Sequence, residues 1–475
     1  MRMMEKTLCF GLIVGTRGFF NSDLAVGVRS KLLEILDAHG YDYVITPKDA
    51  TPNGAIETRD HAKLCAKLFR AHAEEIDGII VVLPNFGDEL AVVQTLEMSG
   101  LDVPVLVQAC DDELGKLSTA DRRDAFCGKL SVCNNLYQYG IPFTNTSLHT
   151  YPIDSQDFKD DLEFFGRVCR VVGGLRGARI GAIGARPAAF QTVRFSEKLL
   201  QDSGITVVPV DLSEIIFAAE SLDADDPAVE EKITSIRGYG TIPDSIPAAN
   251  VIKQAKLSVV IDRWMDENEC DASAVECWDS IQKNYGCATC VSMAMMGDRG
   301  LPSACEVDVM GAVSMYALLL ASGNAPSFQD WNNNYGDNRD MCINTHCSSY
   351  PKSFMQAEVE VSNLDILGES LGPDSCFGAV KGQAAPGPIT YFRASTDDFH
   401  GQIKAYVGEG EMTDDPVPTF QGGIAVLEIP HLQVLMDMLC RNGFEHHVAV
   451  TRSRVANVLD EAIGTYFDWD LYRHM

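Results

Sequence analysis

The chain has 475 residues, of which 46% are hydrophobic and 22% charged, as in globular proteins with two or three domains. Its formal net charge of −29 repels nucleic acid phosphates and anionic lipids, which disfavours polynucleotide and membrane partners. No apolar run reaches the ~18 residues of a membrane span, and the stretch Leu8–Val14 lacks a signal-peptide cleavage site, so we expect a cytoplasmic protein.

The fifteen cysteines sit mostly inside apolar runs. In a chain of this length they are typical of reduced, buried thiols rather than of a disulfide framework. Cys287 and Cys290 form one CxxC pair, but no second pair follows at zinc-ribbon spacing. We therefore favour buried thiols at this pair over a redox or metal-binding role.

The N-terminal third alternates predicted strands with predicted helices. The strands are expected at 7–15, 41–47, 77–84 and 103–109, and the helices at 25–40, 60–75 and 88–100. Short apolar strands, each followed by a helix, indicate a parallel sheet that is covered on both faces. Polar residues follow two of the strand ends, at 16–18 and 85–89, where such sheets bind ligands. The pattern predicts a first α/β domain over residues 1–172.

A second α/β domain is predicted over residues 173–350. It is expected to contain a strand and turn within 175–190, a helix at 194–204, strands at 205–212 and 256–264, a helix at 273–286, a strand at 288–296 and a helix within 302–320. The glycines after the first of these strands are spaced GxxGxxP rather than GxGxxG, which disfavours a dinucleotide site. An oxidoreductase built on this turn is therefore the last of three functional alternatives.

From Lys352 onward the chain changes to short alternating segments broken by Gly, Pro, Asp and Asn. They are expected to be antiparallel strands of a small barrel or sandwich, at 359–363, 378–383, 388–396, 401–411 and 422–430. Two helices, at 432–443 and 453–467, flank a last strand at 446–452. The predicted fold is therefore α/β, with two doubly wound, Rossmann-like domains followed by a C-terminal domain, 351–475, that contains an antiparallel β-barrel and helices.

Two acids and a histidine are candidates for one metal site. Glu306 lies in SACEVD, Asp330 in FQDWNNNYGD and His447 in FEHHVAV. Carboxylates with an imidazole suit a hard divalent cation such as manganese or magnesium, whereas structural zinc favours closely spaced cysteines. Glu306 also opens a predicted helix, where an acid can simply complement the macrodipole, and Asp308 is the better candidate for that structural role. Only one of His446 and His447 can face a site from a strand.

The Asn-rich segment that contains Asp330 is interpreted in two ways. Asn332 and its two neighbouring asparagines suit a turn, but with Trp331 and Tyr335 on either side they also resemble a carbohydrate-binding loop, which we favour. His346 follows 16 residues after Asp330. It is either a hydrogen-bonded core residue or a further ligand.

The segments PSACEVDV, DWNNNYGD, FEHHVAV and VVLPNFGDE resemble the L-fucose/L-arabinose isomerase family over essentially the whole chain. The resemblance implies a divalent cation, Mn²⁺ with Mg²⁺ or Co²⁺ as alternatives, held by Glu306, Asp330 and His447. His346 matches by position a histidine ligand of the arabinose branch. His447 is preferred to His446 because the family pattern is a histidine followed by a short apolar run.

The family resemblance also implies an aldose–ketose interconversion through a cis-enediol. Glu306 and Asp330 would move the protons, and either could be the base that acts on C2. Residues expected to contact the sugar are Arg17, Asn85, Phe86, Asp88, Glu89, Arg186, Trp278, Asn332 and Tyr335. Arg17 and Arg186 would also suit an anionic group on the substrate.

The expected substrate is a hexose, a 6-deoxyhexose or a modified hexose such as sulfoquinovose, because the chain is shorter than a typical fucose isomerase. Family members are commonly hexamers, so the resemblance implies a homo-oligomer with active sites at subunit interfaces. In such an assembly, N-terminal residues such as Arg17 would reach the metal of another chain. The alternative from another class is a non-catalytic sugar-binding protein on the same fold.

Overall fold

The computed structural model describes residue 4 and residues 6–347, 350–417 and 422–475. The protein is mixed α/β, with two parallel sheets and one large mixed sheet. By compactness the chain divides into two units. One extends to Gly173 and includes Glu461–Phe467, and the other consists mainly of Gly174–Asp460. None of the described helices is long and apolar enough to cross a membrane.

The first unit is built on a parallel sheet. Its strands are β1 Cys9–Val14, β2 Asp42–Ile45, β3 Ile76–Leu83, β4 Val105–Ala109 and β5 Thr144–Asn145, and the helices are α1 Leu24–Ala38, α2 Arg59–Ala71, α3 Glu89–Ser99, α4 Ala125–Tyr139 and α5 Gln156–Leu175. The strand order is β2-β1-β3-β4-β5. The order reverses between β1 and β3, so the carboxyl ends of these two strands frame the crevice where open α/β sheets bind ligands. All but one residue of β3 is buried, as in a sheet covered on both faces.

The second parallel sheet repeats this arrangement. Its strands are β6 Arg179–Ile183, β7 Thr206–Val210, β8 Ala272–Val275 and β9 Ser303–Ala304, and the helices are α6 Glu197–Asp202, α7 Leu212–Ser221, α8 Pro227–Tyr239, α9 Ala248–Glu267, α10 Ser280–Asn284, α11 Cys290–Asp298 and α12 Val309–Ser322. The order β7-β6-β8-β9 again reverses next to its first strand. The segments after β6, β8 and β9 therefore meet at one edge, where the Ala185 amide donates to Glu276 Oε2 at 2.8 Å.

Three predicted elements of this region are wrong. Residues 256–264, predicted as a strand, lie inside α9, and residues 288–296, also predicted as a strand, lie largely in α11. Residues 273–286, predicted as a helix, contain β8 and then the short α10. Helices α9 and α11 are buried over much of their surface, so their sequences lack the long polar face that identifies a surface helix. A short apolar run cannot be assigned to a strand or a helix by periodicity alone.

The large mixed sheet contains the remaining strands. These are β10 Ser327–Tyr335, β11 Asn338–His346, β12 Glu360–Asn363, β13 Phe377–Gln383, β14 Gly387–Asp397, β15 Gln402–Thr413, β16 Gly423–Glu428, β17 His447–Thr451 and β18 Trp469–Arg473, with helices α13 Asp365–Leu371, α14 Leu432–Arg441 and α15 Ala456–Tyr466. The order is β12-β13-β16-β11-β10-β17-β14-β15-β18. Strand β15 also pairs with β16. The pairings of β16, β11, β10, β17, β14 and β15 therefore form a closed ring.

The register of this sheet brings two predicted site residues together. Asp330 of β10 lies opposite His447 of β17 on one side and opposite Thr345 of β11 on the other. Residues that face each other across antiparallel strands project from the same side of the sheet. The side chains of Asp330 and His447 therefore share one face, with His346 at the end of the third strand.

The Asn-rich segment is not the predicted loop. Asp330 to Tyr335 form the second half of β10, and the hairpin turn comes afterwards, at Gly336 with φ 55°. The pairing with β11 shifts its register between Trp331 and Asn333. A polar strand end with such an irregularity lacks the alternation of apolar and polar residues that indicates a strand in a sequence.

Candidate functional site

Glu306, Asp330 and His447 converge on one point. His447 Nε2 lies 3.2 Å from Glu306 Oε2 and 3.5 Å from Asp330 Oδ1. Glu306 comes from the segment after β9, Asp330 from β10 and His447 from the start of β17. Glu306 and His447 are buried, whereas the Asp330 side chain is 24% exposed. Three elements distant in sequence thus place two carboxylates around a single imidazole nitrogen.

The backbone at Glu306 is strained. Glu306 and Val307 have φ values of 53° and 55°, in the left-handed region that non-glycine residues rarely occupy. Such residues cost of order 1–3 kcal/mol each and cluster at functional sites. Glu306 precedes the helix instead of opening it, because α12 begins at Val309 and Asp308 is its N-cap, accepting from the Gly311 amide at 2.8 Å.

At this point, two buried carboxylate oxygens lack hydrogen-bond partners among the described residues. They are Glu306 Oε2 and Asp330 Oδ1, the same atoms that face His447 Nε2. Burying a carboxylate oxygen without a partner is unfavourable unless a cation compensates it. Two carboxylate oxygens and one imidazole nitrogen are also a donor set that suits manganese, magnesium or cobalt. The residues present therefore fit a divalent cation at this point.

A buried ionic cluster orients His447. His447 Nδ1 lies 2.8 Å from Asp308 Oδ2, and Arg393 donates to both oxygens of Asp308 at 2.6 and 3.0 Å. Arg393 also contacts Glu445 at 3.2 Å, and Ser395 donates to Glu445 at 2.7 Å. A carboxylate on Nδ1 fixes the imidazole tautomer so that the Nε2 lone pair is free for a ligand.

The same cluster sets two pKa values. Burial opposes ionisation of Asp308, but Arg393 and His447 outweigh it and hold the pKa of that carboxyl well below its usual range. Burial also disfavours the charged form of His447, yet the Asp308 and Glu306 carboxylates raise the pKa of His447 to about 9. Without a cation, the site therefore holds a proton on His447 that a metal would have to displace.

Two further histidines flank Asp330. The Nε2 atoms of His346 and His446 each lie 3.9 Å from Asp330 Oδ1. His346 is buried, with Nδ1 3.4 Å from Cys347 Sγ and 3.8 Å from Cys305 Sγ. His446 is 44% exposed, and burial followed by the charge of His447 lowers the pKa of its imidazole.

A cavity of about 590 Å³ opens onto these residues. Its lining consists of Phe190, Trp278, Glu306, Asp330, Asn332, Asn333, Thr345, His346, Cys347, Ile366, Glu369, His446 and His447. The Trp278 ring packs edge-on against Phe190 at 5.9 Å, and its buried Nε1 has no hydrogen-bond partner among the described residues. The volume and the mixture of aromatic and polar groups suit a small polar ligand.

The structure brings some of the predicted sugar contacts to this cavity and leaves others outside its lining. Trp278 and Asn332 line it, although Asn332 Oδ1 already accepts from the Thr345 amide at 2.6 Å. Tyr335 lies near the far end of β10, where its hydroxyl donates to the Pro416 carbonyl at 3.0 Å. Arg186 donates to the carbonyl of Pro187 at 2.9 Å. Tyr335 and Arg186 therefore already have backbone partners elsewhere.

The N-terminal candidates gather in the first unit, between the ends of β1 and β3. Asn85 Oδ1 accepts from the Arg17 amide at 3.2 Å, and the Arg17 guanidinium lies 4.3 Å from the centre of the Phe86 ring. Arg17 also forms an ion pair with Glu89. Asp88 caps α3 by accepting from the Ala91 amide at 2.8 Å. These side chains are organised at the crevice of the first sheet.

Sequence reasoning missed Arg393 and Glu445. Arg393 is the largest fully buried side chain among the described residues, and it lies in a strand whose neighbours are mostly apolar. A charged residue inside a buried strand is almost always paired. An arginine in an apolar strand therefore indicated a buried ion pair. It did not identify the partners Asp308 and Glu445, which lie 85 and 52 residues away in the sequence.

Comparisons with known proteins match both ends of the chain to one family. Residues 11–176 match the fucose/sulfoquinovose isomerase N-terminal domain, and residues 344–474 match the L-fucose isomerase C-terminal domain. Glu306 and Asp330 lie between the two matched ranges, whereas His346 and His447 lie within the second.

Relatives cover most of the chain. A protein named sulfoquinovose isomerase from Priestia aryabhattai is 24% identical over 465 residues, 96% of this chain and 97% of its own. Another of that name, from Alkalicoccus urumqiensis, is 25% identical over 340 residues, 70% of this chain and 72% of its own. A solved glucose-galactose binding protein from Geobacillus stearothermophilus, 15% identical, covers 67% of this chain and 93% of its own with a TM-score of 0.15, too low to carry an argument. The chain belongs to the L-fucose isomerase family and is an aldose–ketose isomerase.

Proposed function

We propose that the protein is a divalent-metal-dependent ketol isomerase that acts on a hexose or modified hexose through a cis-enediol. The observation that carries the proposal is the pair of unpartnered oxygens, Glu306 Oε2 and Asp330 Oδ1, on either side of His447 Nε2. Glu306, Asp330 and His447 would hold the cation, with Mn²⁺ favoured over Mg²⁺ and Co²⁺. His346, the fourth predicted ligand, faces Asp330 through Nε2.

When bound, the cation polarises the sugar carbonyl and stabilises negative charge on the neighbouring oxygens. Glu306 and Asp330 then divide the proton transfers. One carboxylate would take the C2 proton while the other, in its protonated form, gives a proton to the C1 oxygen, which yields the enediol. The same carboxylate returns a proton to C1 as the C2 hydroxyl loses its proton to the other. The aromatic wall at Trp278 would shield these steps from water.

We propose sulfoquinovose, a hexose with a sulfonate at C6, ahead of plain and 6-deoxy hexoses. The support is the length of the match to relatives of that name, 96% of this chain in one case. Arg17, held over Phe86 and paired with Glu89, is the candidate for the anionic group. Since Arg17 belongs to the first unit, we propose, as the family resemblance implies, a homo-oligomer in which it completes a neighbouring chain's site.

The ring of strand pairings from β16 back to β16 supports the predicted barrel.

Proton exchange at C2 tests the proposal. The protein is stripped of metal, reloaded with Mn²⁺ and incubated in D₂O with glucose, fucose or sulfoquinovose, and the C2 proton signal is followed by NMR. We expect exchange that requires Mn²⁺, is fastest with sulfoquinovose and is lost in Glu306→Gln. Glu428→Gln, which changes an acid of β16 outside the cavity lining, is the matched control and should retain exchange.

Two outcomes would contradict the proposal. Exchange that persists in the metal-free protein would remove the cation from the reaction. Saturable sugar binding without exchange, unaffected by a chelator or by Glu306→Gln, would instead indicate the non-catalytic binding protein.

A further inference from the structure

Four cysteines form a connected cluster behind the candidate metal site. Cys277 follows β8, Cys290 opens α11, Cys305 follows β9 and Cys347 follows β11. Cys277 lies close enough to Cys305, Cys305 to Cys347 and Cys347 to Cys290 for each thiol to affect the pKa of the next. Three of them are buried, while Cys347 is half-buried and lines the cavity. The cluster is therefore within reach of an ion that enters the cavity.

An imidazole completes this set of sulfur atoms. His346 Nδ1 lies 3.4 Å from Cys347 Sγ and 3.8 Å from Cys305 Sγ. The potential ligand atoms of Cys305, Glu306, His346 and Cys347 all lie within 4.8 Å of one another. Isolated buried cysteines behave as small apolar side chains. Several thiols in contact with each other and with a histidine are instead the donor set of a soft or borderline cation.

We propose that Cys305, Cys347 and His346 Nδ1 form a second cation site that takes a thiophilic ion such as Zn²⁺. Tetrahedral zinc holds thiolates at about 2.3 Å and imidazole at about 2.0–2.1 Å, which places a sulfur and a nitrogen ligand about 3.6 Å apart. The two observed contacts of His346 Nδ1, 3.4 and 3.8 Å, lie on either side of that value. The thiols release their protons to solvent when the ion binds.

The two sites differ in chemistry although they are neighbours. Glu306, Asp330 and His447 offer mainly oxygen, which suits a hard cation, whereas the cysteine cluster offers mainly sulfur. His346 lies between them, with Nδ1 toward the thiols and Nε2 toward Asp330. Cys277 Sγ also lies 3.5 Å from Glu306 Oε1. An ion in the cysteine cluster would therefore fix the position of His346, which contacts Asp330 of the hard-cation site.

Zinc absorption spectroscopy tests the proposal. The whole protein, with thiols kept reduced and Mn²⁺ in excess, receives one equivalent of Zn²⁺, and unbound ions are removed by gel filtration. We expect one retained zinc per chain, with sulfur scattering at about 2.3 Å and nitrogen scattering at about 2.0–2.1 Å. Cys305→Ala and Cys347→Ala should each reduce the sulfur signal and release most of the zinc. Cys342→Ala removes another buried thiol of β11, bonded only to Asn344 at 3.5 Å among the contacts described, and should leave both unchanged.

The opposite results overturn the site. These are no retained zinc, zinc with oxygen and nitrogen neighbours alone, or a sulfur signal that both variants leave intact. Because Cys305 and Cys347 follow different strands, one variant still decides the question if the other fails to fold. The readout is bound zinc, so it does not depend on the proposed reaction.

Discussion

Each of the two units of this protein carries a polar cluster, but the two clusters differ in how their charges are balanced. In the first unit, Arg17 pairs with Glu89 and lies over Phe86. The Asn85 side chain accepts from the Arg17 amide and donates to the Asn21 carbonyl. In the second, oxygens of Glu306 and Asp330 face one histidine nitrogen, and the ion pairs found for these two carboxylates among the described residues are with histidines. An unbalanced cluster should favour a cation, whereas a self-balanced one should not.

Removing one of the unbalanced carboxylates should have the largest effect. Asp330→Asn retains the shape of the side chain but loses its charge and its ability to accept a proton. We expect kcat to fall by about 10²–10⁴-fold, the usual contribution of a general acid or base, with weaker Mn²⁺ binding. Isomerisation rates and Mn²⁺ titration followed by electron paramagnetic resonance measure the two effects.

The matched change in the balanced cluster is Asp88→Asn, which alters the cap of α3. It should cost little stability, because asparagine caps helices about as well as aspartate, and it should leave Mn²⁺ affinity unchanged. If Asp88→Asn weakened Mn²⁺ binding as much as Asp330→Asn, the distinction between the two clusters would be wrong.

The second effect is on stability. Arg393→Met would leave Asp308 and Glu445 buried without their cation, and breaking a buried ionic cluster costs about 3–5 kcal/mol. Arg17→Met breaks an ion pair whose partners are 25% and 30% exposed, so its cost should stay below about 1 kcal/mol. Urea unfolding of both variants in metal-free buffer compares them. Equal losses would show that burial does not separate the two clusters.

The third effect is on the orientation of His447. Asp308→Asn keeps a side chain of the same shape but weakens the hydrogen bond to His447 Nδ1. Loss of an outer-shell partner commonly lowers metal affinity about 10–100-fold. Asp161→Asn, a change at a buried carboxylate of the first unit that accepts from Tyr151 at 2.6 Å, is the control and should not alter Mn²⁺ affinity. An unchanged affinity in Asp308→Asn would mean that the strand alone orients His447.

The first sheet was predictable from the sequence because it depends on local pattern, whereas the ligand roles of Glu306, Asp330 and His447 stay predictions. Short apolar strands between helices predicted the parallel sheet of the first unit, and Glu306 and His447 lie in segments whose polar residues interrupt apolar runs. The assignments failed where burial erased the pattern, as in α9, and where a polar strand resembled a loop, as after Asp330. The pairing of Arg393 with Asp308 joins residues 85 positions apart, so it depends on tertiary packing that no local pattern contains.

The smallest expected effect concerns the pH dependence of metal binding. The pKa of His447 is raised from 6.5 to about 9, so its charged form adds stability to the metal-free protein below about pH 6.5, and this stability is lost as the pH rises through about 9. A cation needs the neutral imidazole and must displace that proton. Between pH 6 and 8, Mn²⁺ affinity should therefore increase by about tenfold per unit.

The variant Asp308→Asn sharpens this test, because it removes the carboxylate whose hydrogen bond favours the charged imidazole. Its Mn²⁺ affinity should level off at a lower pH than that of the unmodified protein. Asp88→Asn, in the balanced cluster, should reproduce the unmodified curve. Mn²⁺ affinity that does not change from pH 6 to 8 in the unmodified protein would mean that His447 is already neutral in this range. In that case the negative charges of Glu306 and Asp330 would not be balanced by a proton on His447.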